Sequence, residues 1–218
     1  MCRLTTPLGP IDPRRTILVF VFSLPALVAC GEYPVEHCVR GQGIVLEDVG
    51  EPRAGADLAP VEVVVFSDFE CPGTWLMWAK LIDLLNDLEE AGREEELTVR
   101  FRHYPLFEIH SRAWAAAVAS EAALAQGEDA FWAMFPHLLA GADDLSEVHI
   151  LYYAEMEGLD MDRFAGDLAG AEAEERVARD RALAEDMGFR GTPGVLICGV
   201  PVDGYHDEVA ANLRYILE

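Results

Sequence analysis

Cys71 occupies a position from which a thiol can act as a nucleophile. It closes the stretch V-E-V-V-V-F-S-D-F-E-C, residues 61–71, and is followed by Pro72, Gly73, Thr74 and a long amphipathic run. That order reads as buried strand, polar corner, cysteine, helix. A sulfur at a helix N-terminus faces unpaired backbone N–H groups and the positive end of the dipole, and both favour thiolate over thiol. Covalent exchange at sulfur is the chemistry such a residue supports. The competing reading is a small buried hydrophobe, the other common role of a lone cysteine. Thr74, one helical turn along, is expected to donate a hydrogen bond to the thiolate. The Glu70 carboxylate beside the sulfur opposes negative charge there.

Several elements must hold that corner. The valine-rich strand over residues 61–66 is apolar on both faces, as an interior strand is. Met77, Leu81, Leu84, Leu85 and Leu88 then recur at helical spacing to about Glu90. Gly92 ends that helix, and L-T-V-R-F-R-H-Y, residues 97–104, alternates in period two. Strand, helix and strand with short connections predict a crossover unit with parallel strands. From His110 to Gly188 the pattern is helical throughout, broken at Gln126-Gly127, with Ser146 a plausible cap and Gly188 a plausible stop. Strands return at 195–198 and 200–202 around a turn at Gly199. Pro201 is tolerable only at an edge or a strand start. A last helix opens at His206 or Asp207. His103 is expected to be a half-buried strand residue and His110 to begin a helix. Trp75 and Trp78 are placed either at the rim of the site or beneath it, with core packing the expectation.

The chain has 218 residues, 51% of them apolar, enough for one sizeable core or one domain with an insertion. Its 39 acidic against 16 basic residues give a net charge of -23, and the only lysine is Lys80. No basic stripe exists to neutralise phosphates, which excludes nucleic acid as a partner class. At the N-terminus, Arg14 and Arg15 precede an apolar stretch, residues 17–29, too short to span a bilayer comfortably. It ends in Leu27-Val28-Ala29-Cys30-Gly31, which resembles the lipobox of bacterial lipoproteins. That resemblance implies a signal peptide over 1–29, a lipidated Cys30 as first mature residue, and a membrane anchor outside the cytoplasm. Residues 30–60 read as tether and entry segment, with I-V-L at 44–46 as a brief strand. With Cys2 removed and Cys30 lipidated, Cys38, Cys71 and Cys198 remain. An odd number leaves at least one thiol free or paired with another molecule. Cys71 is the candidate, and a Cys38–Cys198 disulfide stays open because sequence carries no distance.

Four motifs in order then resemble the DsbA-like thiol oxidoreductases, an α/β thioredoxin fold with an inserted helical subdomain. They are Ala59-Pro60-Val61 with Phe66-Ser67-Asp68-Phe69-Glu70-Cys71-Pro72, Arg102-His103-Tyr104-Pro105-Leu106, the helical run from His110 through Phe131-Trp132, and Gly191-Thr192-Pro193. The resemblance covers about residues 44–218. It implies thioredoxin-fold halves at 61–109 and 189–218 with the helical insertion at 110–188. It also implies a cis bond before Pro193 and a peptide or thiol substrate bound along Pro72, Thr192 and Pro193. The family needs a second, resolving cysteine, and here Thr74 stands in its place. The resemblance therefore implies a monothiol, with Cys71 and Thr74 as site residues, exchanging with exported proteins or small thiols. Neither a cofactor nor a metal is called for. Two alternatives remain: a noncatalytic peptide-binding or holding protein, and a glutathione-dependent transferase or isomerase on the same fold.

Overall fold

The computed structural model describes Cys38 and residues 43–142, 144–202 and 206–218. Its central strand is β2 (Val61–Ser67), buried along its whole length except at the half-buried Glu62. β3 (Leu97–His103) runs parallel to it, in register from Val61 opposite Leu97 to Ser67 opposite His103. β4 (Gly194–Ile197) pairs antiparallel on the other side, and β5 (Val200–Val202) forms the edge beyond it. Pro201 therefore sits on an edge strand, where its missing N–H costs least. The opposite edge is β1 (Arg53–Gly55), antiparallel to β3, so the sheet order is β1-β3-β2-β4-β5.

Seven α-helices accompany the sheet among the described residues, besides a 3-10 turn at Glu94–Glu96. α1 (Pro72–Glu90) makes the parallel crossover between β2 and β3. α2 (Ala113–Leu124), α3 (Glu128–Ala140), α4 (Glu147–Met156), α5 (Met161–Leu168) and α6 (Ala171–Asp186) fill the stretch between β3 and β4. α7 (His206–Leu217) closes the fold. This is an α/β thioredoxin fold with an inserted helical subdomain. Ser146 is the residue before α4, as the sequence suggests, although its side chain makes no capping bond.

Both faces of β2 are covered, which explains its unbroken apolar run. Val63 and Val65 join the main core with Met77, Trp78 and Leu81 of α1 and Leu213 of α7. Val64 and Phe66 lie on the other face with Leu196, Tyr104 and Ala184 of α6. The inserted helices enter the main core through rings. Trp78 meets Phe135 at 5.0 Å, Phe101 meets Phe131 at 5.2 Å, and Phe69 stacks on Phe101 at 5.5 Å. Each such pair contributes about 0.5–1.5 kcal/mol beyond its area burial. Because Phe69 and Trp78 flank Cys71 in sequence, the same rings fix α3 against the start of α1.

The entry segment differs from its sequence reading. Residues 44–46 form no strand; Ile44 instead donates its N–H to the Gly199 carbonyl at 2.8 Å, and the strand falls at β1. What fastens the segment is charge on β3. Arg100 and Arg102 point to the same face, two residues apart, and both reach the buried Glu51 carboxylate. Arg102 also pairs with Asp180 of α6 at 2.8 Å, and Asp180 accepts the His103 N–H at 3.0 Å. His103 bonds Glu121 of α2 through Nε2 at 2.9 Å and is fully buried rather than half-buried. A charge held inside a protein needs such partners, since an unpaired one costs far more than the pair contributes.

The open question of Cys38 and Cys198 is answered by a disulfide, with the Cα atoms 5.0 Å apart. Cys198 and Gly199 have φ of +48° and +75°, the left-handed pair that a two-residue hairpin between β4 and β5 requires. A side chain at Gly43 would run into the Cys198 carbonyl and the Gly199 backbone, so glycine lets the entry segment lie against that turn. The signal-peptide and lipidation readings, with Cys2 and Cys30, lie outside the described residues.

Candidate active site around Cys71

Cys71 is the residue before the first turn of α1, in an extended conformation at φ -81° and ψ 119°, with Pro72 at the first helical position. Proline is suited there because its missing N–H would have no helical partner. The Cys71 N–H donates to the Asp68 carbonyl at 3.1 Å, which turns the chain from strand to helix. The thiol is free and half-buried. Its sulfur lies 3.2 Å from the Thr192 carbonyl oxygen, to which the S–H donates. The bond between Thr192 and Pro193 is cis, and that turn directs the Thr192 carbonyl at Cys71. A Cβ on Gly73 would come within 3.2 Å of the Pro193 ring and 3.4 Å of the Thr192 oxygen, so the small residue permits the approach of the two loops. Thus Cys71 and Thr192, 121 residues apart in sequence, are brought together, with Pro193 beside Gly73.

Thr74 behaves otherwise than expected. It is fully buried, and its hydroxyl accepts the Asp68 N–H at 3.3 Å instead of bonding the Cys71 sulfur. The reason is the turn itself, which leaves the Asp68 N–H inside the protein with no strand partner, and a buried donor must be satisfied. Thr74 therefore shapes the corner that presents the thiol. Glu70 is also diverted: its carboxylate accepts the Arg112 N–H at 2.5 Å, at the start of α2.

Asp68 is the residue that sequence reasoning missed. Its carboxylate is fully buried and accepts from three donors at 2.8 Å: the N–H groups of Glu70 and Leu106, and Nδ1 of His110. It welds the Cys71 corner to the loop between β3 and α2. His110 lies in that loop rather than beginning a helix; α2 opens three residues later. The available signal was an aspartate in an otherwise apolar approach to a cysteine, which has to find donors if buried.

On its open side the sulfur borders a groove of about 360 Å³ lined by Cys71, Pro72, Trp75, Leu139, Ala140 and Ala142. Trp75 is 49% exposed and forms its rim, whereas Trp78 is fully buried and donates its indole N–H to Ser67 at 2.9 Å. The two tryptophans thus divide, and only Trp78 belongs to the core. Leu139 and its neighbours reach the site because the ring cluster holds the end of α3 there. Cys198 sits beside Glu62 near the beginning of β2, at the far end of the strand from Cys71, and is already bonded to Cys38.

A thioredoxin fold with helices inserted between β3 and β4, and a cysteine starting α1 opposite a cis-proline, defines the class. Residues 62–210 match the DSBA-like thioredoxin domain, and the chain belongs to that family. Among curated proteins it is 40% identical over 143 residues to Na(+)/H(+) antiporter NhaA 3 of Salinispora tropica, covering 65% of this chain and 20% of that protein. It is 34% identical over 162 residues to Na(+)/H(+) antiporter NhaA 1 of Mycolicibacterium vanbaalenii, covering 73% of this chain and 25% of that protein. The matching stretch thus spans a fifth to a quarter of these relatives. Among solved structures, a thioredoxin-like oxidoreductase from Silicibacter pomeroyi superposes with a TM-score of 0.65 at 25% identity, covering 77% of this chain and 92% of that one. The thiol-disulfide exchange protein alpha-DsbA2 from Wolbachia pipientis shares the fold, with a TM-score of 0.63 at 21% identity over 78% of this chain and 88% of that one.

Proposed function

We propose that this protein carries out monothiol thiol-disulfide exchange through Cys71, outside the cytoplasm, on exported polypeptides or small thiols. One observation carries the reading: the only free cysteine among the described residues begins a helix and faces the Thr192 carbonyl, with a fully buried threonine where a resolving thiol would stand. Cys71 forms a mixed disulfide with a substrate laid along Thr192 and Pro193. An external thiol then releases it, because the other cysteines among the described residues, Cys38 and Cys198, are bonded to each other. Lipidation of Cys30 would hold the domain at a membrane surface. The antiport named for the relatives belongs to much longer proteins and is not carried over to this chain.

The test uses a disulfide-linked peptide dimer and intact-mass spectrometry. The protein is expected to gain one peptide in disulfide linkage, to lose it on addition of a small thiol, and to gain none as Cys71→Ser. Failure of Cys71 to form the adduct while remaining open to alkylation would sink the proposal. The apolar groove beside the sulfur favours a second reading, a noncatalytic peptide-holding protein. Peptide binding of equal strength in the wild type and Cys71→Ser, without an adduct in either, would select it.

A further inference from the structure

We infer that the outer face of α4 is a docking surface for a cationic amphipathic helix of a partner polypeptide, a role separate from the chemistry at Cys71. Val148, Tyr152 and Met156 stand one turn apart along α4 and are 74%, 55% and 47% exposed. At i, i+4 and i+8 they share one side of the helix. At helical rise they form a ridge about 12 Å long, with the tyrosine ring in its middle. Single exposed apolar side chains are ordinary on a protein surface, whereas a contiguous row of large ones marks a contact site.

The fold does not need this ridge. α4 packs through its opposite side, where Ile150 and Ala154 are buried in the main core. Tyr153, next to them, stacks on His137 of α3 at 5.3 Å, and His137 Nε2 meets the Glu157 carboxylate just past α4 at 2.6 Å. The helix is therefore held from within, and shortening the outer side chains takes nothing from the core.

Charge determines what covers the ridge. Glu147 and Glu155 border it, both exposed, and among the described residues neither carboxylate meets a cation. Glu147 lies in the first turn, where a negative group is favoured. Glu155 lies in the last turn, which holds no basic residue, so its charge adds to the negative end of the helix dipole. A bound lysine or arginine would relieve that repulsion. A second copy of the chain is a poor fit, since each carries a net charge of -23 and would bring the same carboxylates to the same ridge. A bilayer fits no better: helices that lie on lipid carry lysine and arginine on the polar face, and α4 has neither. A partner helix with an apolar stripe flanked by lysine or arginine satisfies both the ridge and its acids. Tyrosine at the centre of such a contact is the residue type that carries most of the binding.

The test uses two cysteine-free, fluorophore-labelled helical peptides, titrated with the whole protein and followed by anisotropy. One has leucines at i, i+4 and i+8 flanked by arginines; in the other, glutamate replaces each arginine. The arginine peptide is expected to bind and the glutamate peptide to stay free. Tyr152→Ser should weaken binding about thirtyfold, with Val148→Ser acting in the same direction. Glu155→Gln should weaken it about threefold, an effect lost at about 1 M salt, where exposed charges are screened. All three positions are exposed, so thermal melting should not change. Equal binding of the two peptides, no binding of the arginine peptide, or wild-type affinity in both Tyr152→Ser and Val148→Ser overturns the inference. So does a dimer in sedimentation, or capture by zwitterionic vesicles, that Tyr152→Ser abolishes, because those results assign the ridge to a second copy or to lipid. Neither peptide carries a thiol or disulfide, so each of these results leaves the exchange reading of Cys71 where it stands.

Discussion

Cys71, just past the C-terminal end of β2, faces a carbonyl, a cis-proline and an open groove, while Cys198, beside the strand's first residues, is bonded to Cys38 in a hairpin turn. Both sulfurs lie next to the same strand. They differ in what the backbone around them leaves unpaired. At the Cys198 end the backbone is paired across the turn: the Cys198 N–H bonds the Glu62 carbonyl at 2.7 Å, and the Gly199 carbonyl accepts from Ile44. At the Cys71 end the helix has just begun, so the first-turn N–H groups lack helical partners and one face of the sulfur stays accessible. A strand running antiparallel into a tight hairpin fixes a cysteine as a staple. A strand running into a helix N-terminus presents one as a reagent.

That contrast can be broken most completely by giving the open end a second sulfur. Thr74→Cys is expected to close a disulfide with Cys71 on oxidation, leaving no alkylatable thiol where the wild type has one. Intact mass after alkylation, with and without reductant, reads this directly. A variant that keeps one reactive thiol after oxidation would show that the corner cannot accommodate a dithiol.

The next largest effect is at the closed end. The Cys38–Cys198 bridge spans 160 residues of sequence, for which loop-closure entropy gives a stabilisation of up to about 5 kcal/mol. Cys198→Ala combined with Cys38→Ala should therefore lower the denaturation midpoint strongly, with a loss of about 2–5 kcal/mol. The Cys71 alkylation rate should stay as it is. A large change in that rate would mean that the two ends of the sheet are coupled.

The smallest effect separates the structural charges from the reactive corner. Burial works to raise the Glu121 carboxyl, but hydrogen bonds and charge from His103 and Arg176 outweigh it and hold the group below its ordinary value of 4.5. A depressed carboxyl means that the unfolded chain binds more protons below that value. The stabilisation is fully present above pH 4.5 and is lost as pH falls through the lower, folded value. Glu121→Gln should flatten the acid limb of the stability curve, measured by denaturant melts from pH 5 downward, and leave exchange at Cys71 unaffected near neutrality. An unchanged acid limb would assign acid sensitivity to other carboxylates.

Much of this architecture is legible in the residues. The continuous valines of β2, the leucine spacing of α1 and the alternation of β3 report periodicity, which is a local property, and the helices of the insertion fall close to where their patterns put them. The edge position of Pro201 follows from a missing donor. The bonds of Asp68 and Thr74 were not legible, nor was which of Trp75 and Trp78 would rim the site. Asp68 and Thr74 satisfy each other's corner across six residues of sequence in a turn whose unpaired N–H cannot be seen in advance. Trp75 and Trp78 look alike in sequence, and only the docking of α3 decides that one rims a groove while the other is sealed beneath it. The entry segment misled for a similar reason: I-V-L at 44–46 has strand-like composition, but the sheet edge that accepts a strand is reached at Arg53.

The sequence by itself determined that Cys71 would stand at the start of a helix after a buried strand, with Thr74 one turn along, because those features depend on neighbours within a few residues. The tertiary structure decided the rest. It paired Cys38 with Cys198, turned the Thr192 carbonyl onto the Cys71 sulfur, took the Thr74 hydroxyl away from that sulfur, and brought His110 to Asp68. Each of these joins groups distant along the chain or competing for one buried donor, and such contests are settled by packing and hydrogen-bond satisfaction rather than by local pattern.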